Sequence, residues 1–127
     1  MKTILVDAVN TFVIKDFGVF NEMYKMLEKY QNRKIILTNA NDEQIKLFGL
    51  DNLPYELFTL KHNPEKTDNK YYRKVLEYFN LNAKDVVYFE HNMEAVKSAQ
   101  SLGIITYHYN KDKKDLISLE KFIKENI

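Results

Sequence analysis

Asp7 ends the apolar run Ile4-Leu5-Val6, and Thr38-Asn39 ends Ile35-Ile36-Leu37. Lys61-His62 follows Leu57–Leu60, and Glu90-His91 ends Val86-Val87-Tyr88-Phe89. A carboxylate, a hydroxyl beside an amide, a lysine, and an acid beside an imidazole therefore each stand just past a short hydrophobic stretch. Such groups can grip an anion or ligate a cation, and they act together only if the fold gathers the ends of those stretches. Composition excludes other chemistries: without cysteine this chain has no disulfide, thiolate zinc site, iron–sulfur cluster or Cys nucleophile.

The elements that must do the gathering are legible in the alternation of apolar runs with amphipathic ones. Strands are predicted at Ile4–Val6, Lys34–Leu37, Leu57–Leu60, Val86–Phe89 and Ile104–Tyr107. Helical stripes lie between them: Phe20, Met23, Leu27 and Tyr30; Tyr72, Val75, Leu76 and Phe79; then Met93, Val96, Ala99 and Leu102, with Gly103 as a stop signal. Leu116, Leu119 and Ile123 mark a last helix. This β-α order specifies an α/β fold, a three-layer α/β/α doubly wound, Rossmann-like parallel sheet of about five strands. Ligands of such sheets bind beyond the carboxyl ends of the strands near the switch in strand order, which is where the residues above fall.

The chain of 127 residues, 45% hydrophobic and 29% charged, suits one globular domain over residues 1–127. Lys and Arg number 19 against 18 Asp and Glu, so no overall field recruits nucleic acid or an anionic membrane, and neither is expected as a partner. The amino terminus meets Asp7 too early for a secretory segment, and no apolar run approaches the roughly 18 residues that span a bilayer. A cytoplasmic location is the expectation.

Asp7-Ala8-Val9-Asn10-Thr11 after its apolar run resembles the first motif, D-x-D-x-T, of the haloacid dehalogenase-like (HAD) superfamily. Ile35-Ile36-Leu37-Thr38-Asn39 is similar to the second, an apolar strand ending in Thr or Ser. Lys66-Thr67-Asp68-Asn69-Lys70-Tyr71-Tyr72-Arg73-Lys74-Val75-Leu76 is similar to K-P-D-P-x-x-Y/F-x-x-x-L, whose lysine is the third. Val86 through Asn92 corresponds to an apolar strand followed by G-D or D-D and then S, and Ala95 through Ile104 to the helix and strand beyond. The likeness runs through nearly the whole chain in order. It implies Asp7 as a nucleophile forming an aspartyl-phosphate. It likewise implies Thr38 and Lys66 as catalytic groups that, with Asn39, hold the phosphate oxygens. A magnesium ion would be held by Asp7, the Val9 carbonyl and the residue at the position of His91.

The departures from the pattern carry as much information. Val9 replaces the acid that protonates the leaving oxygen, help worth about 10²–10⁴ in rate, so substrates are expected to be acyl or aryl phosphates rather than alkyl esters. His91 replaces the metal-ligating Asp and Ala95 the supporting acid. Glu90, one residue early, joins the metal set only if the strand end turns to present it, because neighbouring strand residues point to opposite faces. An imidazole tilts the site from magnesium toward manganese, a softer ion or no metal. The spans after Thr11 and from Asp51 to Glu65 are too short for the cap domain found in relatives that act on small molecules. The site is then open, suited to a phosphorylated macromolecule, or to a small phosphorylated molecule enclosed by a neighbouring subunit of a homo-oligomer.

Each residue also has a plainer reading. Asp7 can be a turn residue, Thr38 and Asn39 the cap of the helix starting at Asn41-Asp42-Glu43, and Lys66 a solvated charge. His62, His91 and His108 can be surface residues. Three functions follow from the resemblance: a phosphatase-like hydrolase or phosphotransferase with weakened activity, a pseudoenzyme that binds an anion or a protein, and a metal-independent dehalogenase-like hydrolase. The first is the reading adopted from the sequence.

Overall fold

The computed structural model describes residues 1–127. Five parallel strands form the central sheet: β1 (Thr3–Asp7), β4 (Lys34–Thr38), β5 (Glu56–Thr59), β6 (Val86–Glu90) and β7 (Ile105–His108), in the order β5-β4-β1-β6-β7. The first strand is central because it is apolar on both faces. Ile4 and Val6 enter one core layer with Ile36, Val87 and Phe89, while Leu5 enters the other with Ile35, Leu37, Val86 and Tyr88. This two-residue alternation on both sides is what buried parallel strands require.

Helices cover both faces. α1 (Asn21–Leu27) and α5 (Leu116–Asn126) bury Met23, Leu27, Leu119 and Ile123 in the first layer, and Ile45 and Phe48 of the α2 region (helix Asp42–Leu47) pack against it. α3 (Lys70–Phe79) buries Tyr71, Tyr72 and Val75 in the second layer, with Ala99 of α4 (Met93–Gln100). Met93, placed on the buried stripe by its spacing, is instead 42% exposed. It opens α4 directly after the Asn92 cap, where the first turn projects past the sheet edge.

Two short strands, β2 (Val13–Ile14) and β3 (Gly18–Val19), form an antiparallel hairpin after β1 that the sequence reading does not contain. Two-residue strands carry too little alternation to register. Phe12 anchors the hairpin in the core, and Phe17 at its tip is 87% exposed. Neither this hairpin nor the β5 to α3 connection builds a cap domain. No helix is long and apolar enough to cross a membrane.

Candidate active site

Chain order reverses at β1, with β4 and β5 to one side and β6 and β7 to the other. The carboxyl ends of β1, β4 and β6 therefore border one crevice, and Asp7, Thr38 and Glu90 are the last residues of those strands. A cleft of about 200 Å³ opens there, lined by Asp7, Val9, Thr38, Asn39, Lys66, Glu90 and His91 among others.

Asp7 is 3% exposed and held from three sides. Lys66 Nζ donates to its Oδ1 at 2.7 Å, Thr11 Oγ1 donates to its Oδ2 at 2.7 Å, and His91 Nδ1 stands 2.5 Å from the same Oδ2. Burial works to raise the carboxyl pKa, but the Lys66 charge and then the hydrogen bond from His91 outweigh it and hold the group well below the usual carboxylate range. Oδ1 accepts one strong bond, from Lys66, whereas Oδ2 accepts from Thr11 and His91 and lies 3.4 Å from the His91 backbone N–H as well.

Lys66 is buried and also donates to Glu90 Oε1 at 2.9 Å. Burial by itself would lower its pKa; the Asp7 and then the Glu90 charges raise it well above the ordinary value, so the ammonium persists. Its segment is pinned by Asn39, whose Oδ1 accepts the Lys66 backbone N–H at 2.9 Å. Asn39, expected to contact phosphate, therefore commits its carbonyl oxygen to positioning Lys66. Thr38 is buried at the cleft wall, its Oγ1 accepting from Ala40 N at 3.2 Å, and Tyr71 donates to the Thr38 carbonyl at 2.8 Å.

Glu90 corrects the expectation that only one of two neighbouring residues can face the site. It is the last strand residue, on the face of Val86 and Tyr88, and the chain turns immediately so that the backbone N–H groups of His91 and Asn92 donate back to its Oε2 at 3.0 and 3.1 Å. His91, already in the turn, is free to swing toward Asp7. Behind them, Tyr88 donates to Glu90 Oε1 at 2.5 Å and shares a 3.2 Å hydroxyl contact with Tyr72. Sequence reasoning missed this pair as site residues, although Tyr88 and Glu90 stand two apart on one strand, which is the signal for a shared face.

His91 Nδ1 also lies 3.3 Å from Glu90 Oε2. Burial pulls the imidazole pKa down, but the hydrogen bonds to Asp7 and Glu90 and their charges push it up to about 9. His62, read from sequence as a surface residue, is exposed and also borders the cleft, with its nitrogens 2.8 Å from Glu65 Oε1 and 2.5 Å from Gln44 Oε1. His108 stays outside and meets the His91 carbonyl at 3.0 Å. Ala95 lines the cleft and supplies no acid.

Asp7, Glu90 and His91 offer ligand atoms within 4.8 Å of one another, so the expected metal set does converge. Its donors do not fit magnesium. Glu90 Oε1 receives Lys66 and Tyr88, Glu90 Oε2 receives two backbone N–H groups, and Asp7 Oδ2 receives Thr11 and His91. Octahedral magnesium with bonds of about 2.0–2.1 Å holds adjacent ligands about 2.9 Å apart, whereas His91 Nδ1 and Asp7 Oδ2 stand 2.5 Å apart. The Val9 carbonyl accepts no backbone hydrogen bond.

No protein-family model and no curated protein matches the chain by sequence. Structural comparison does find relatives. A HAD-family enzyme of Bacteroides thetaiotaomicron superposes with a TM-score of 0.76 at 14% identity, covering 94% of this chain and 98% of that one. A complex of that enzyme with magnesium and inorganic phosphate gives 0.60 at 20% identity, covering 80% and 57%. A HAD-superfamily hydrolase of Geobacter sulfurreducens gives 0.56 at 18% identity, covering 81% and 56%. The chain spans a little over half the length of those last two. The chain shares the fold of these structures.

Proposed function

We propose that this protein is a hydrolase or phosphotransferase of phosphorylated substrates in which Asp7 is the nucleophile. The observation that carries the reading is the asymmetry of the Asp7 carboxylate. Its pKa is held well below the usual carboxylate range, its Oδ2 is taken by Thr11 and His91, and its Oδ1 is bound by Lys66 alone in a residue that lines an open cleft. Oδ1 attacks phosphorus, the bond from phosphorus to the leaving oxygen breaks, and that oxygen departs with the electron pair. Lys66 and Thr38 line the space where the phosphoryl oxygens gather charge. Water then attacks the aspartyl-phosphate and releases inorganic phosphate. Val9 lines the cleft where a proton-transferring group would be needed, so leaving groups must depart unprotonated and the water step is slow. Acyl and aryl phosphates, free or on a larger molecule, satisfy the first demand. The magnesium and phosphate bound by the Bacteroides relative support phosphate as the ligand class.

The test is turnover of acetyl phosphate and p-nitrophenyl phosphate by wild type and Asp7→Asn, with intact mass read during the reaction. Turnover with a phosphoryl adduct, both absent in the variant, is the expected result. A second reading, a non-catalytic binding module, draws on the closed network in which Lys66 answers both buried carboxylates. Folded wild type that gains no adduct and turns over no faster than Asp7→Asn establishes it.

A further inference from the structure

We infer that the His91 Nδ1–H group takes the place of the divalent cation at this site, so that the protein works on its anion without a metal ion. The inference rests on the phosphate reading above and concerns what supports Asp7 while it acts. Asp7 Oδ2, the oxygen beside residue 91, instead meets three hydrogen-bonding groups: the Thr11 hydroxyl at 2.7 Å, His91 Nδ1 at 2.5 Å and, more weakly, the His91 backbone N–H at 3.4 Å. A carboxylate oxygen and an imidazole nitrogen sit this close only with one proton shared between them, and 2.5 Å is too short to admit an ion. Nδ1 therefore has no lone pair to offer an ion between the two residues.

The acids that would compensate are committed elsewhere. Glu90 accepts four hydrogen bonds, from the Lys66 ammonium, the Tyr88 hydroxyl and the backbone N–H groups of His91 and Asn92. Recruiting it to a metal would leave a buried ammonium with Asp7 alone and a buried phenol with Tyr72 alone, each costly in a low-dielectric interior. Ala95 leaves no further carboxylate beside the cleft. Lys66 meets one oxygen of each carboxylate, and His91 lies 2.5 and 3.3 Å from the other oxygen of each. Repulsion between a phosphate dianion and Asp7, which a divalent ion relieves in other sites, is thus countered by donors built into the chain.

Paramagnetic manganese, titrated into the whole protein while proton and nitrogen resonances are recorded, tests this directly. Broadening confined to Asp7, Val9 and residue 91 should be absent in wild type and present in His91→Asp, which restores a hard oxygen ligand. If His91→Asp does not fold, His91→Asn serves as the oxygen-bearing variant. Acetyl phosphate turnover should be unchanged by chelator in wild type and rise about tenfold with magnesium in the oxygen-bearing variant. Site-confined broadening in wild type, or none in a folded variant, overturns the assignment of His91. Absence of turnover under every condition refutes the phosphate reading instead, and the spectra still decide the metal question.

Discussion

Tyr88 donates its hydroxyl to Glu90 Oε1 at 2.5 Å, two residues along the same strand and wholly inside the protein. The oxygen it reaches also accepts the Lys66 ammonium, so the strand carries both the acid and the group that orients it. Removing Glu90 leaves a buried ammonium with one partner, a buried phenol with Tyr72 alone, the Asn92 N–H unpaired and the His91 N–H with only its 3.4 Å contact to Asp7. Glu90→Ala should lower the unfolding free energy by about 3–5 kcal/mol, read from urea midpoints at constant m-value. Glu90→Gln, which keeps the volume and one acceptor, should cost less.

Tyr88 and Tyr72 are coupled through the 3.2 Å contact between their hydroxyls. Tyr88→Phe should cost about 1–3 kcal/mol, because a carboxylate in the interior loses a donor. Tyr72→Phe should then cost measurably less in the Tyr88→Phe background than in wild type. Coupling of about 0.5 kcal/mol or more in the double-mutant cycle is expected, and additive costs would show the two hydroxyls to be independent.

How much of this arrangement was readable beforehand varied with its physical cause. All five strands of the sheet were visible because parallel strands buried on both faces read as apolar runs, and Asp7, Thr38, Lys66 and His91 were located by motif order. The hairpin at Val13–Val19 was not visible, having two residues per strand. Glu90 stays conditional in the sequence because strand alternation sends neighbours to opposite faces, and the turn that brings both Glu90 and His91 to the site comes only after the strand ends, where Asn92 caps α4. The commitment of Asn39 to the Lys66 backbone is a long-range contact across 27 positions, and nothing local encodes it. Tyr72 read simply as a core aromatic, which it is; the polar end of its ring became part of the site only through the pairing of α3 with β6.

The pH dependence of stability follows from the two residues that share the short contact. His91 has its pKa raised from 6.5 to about 9 in the folded protein, so its contribution is fully present below about pH 6.5 and is lost as pH rises to about 9. Asp7 has its pKa lowered, so its contribution is present above its unfolded value and is lost as pH falls into the acid range. Stability should therefore peak between these limits. In His91→Gln the alkaline decline should flatten, and the wild-type and variant urea midpoints should converge between pH 6.5 and about 9.5. Parallel curves across that range would show that His91 has the same proton affinity folded and unfolded.

Val9 offers a gain-of-function test, which loss of activity alone cannot supply. It lines the cleft two residues beyond Asp7, on the turn where Asn10 takes a positive φ of 70° and donates its N–H to the Val13 carbonyl at 2.7 Å. The turn is held by the backbone and by Phe12 packing, with Val9 only partly buried against the same core, so Val9→Asp should preserve it at a modest cost in stability. A carboxyl there would protonate a departing oxygen and later accept a proton from water. Hydrolysis of an alkyl phosphate such as glycerol phosphate should rise by about 10²–10⁴, while hydrolysis of acetyl phosphate, which needs no leaving-group proton, should gain only in its water step. The phosphoryl adduct seen by intact mass should shrink in the variant as the second step accelerates. An equal gain for both substrates would mean that the new acid acts through binding, and no gain in folded protein would place the limit on catalysis elsewhere than at Val9.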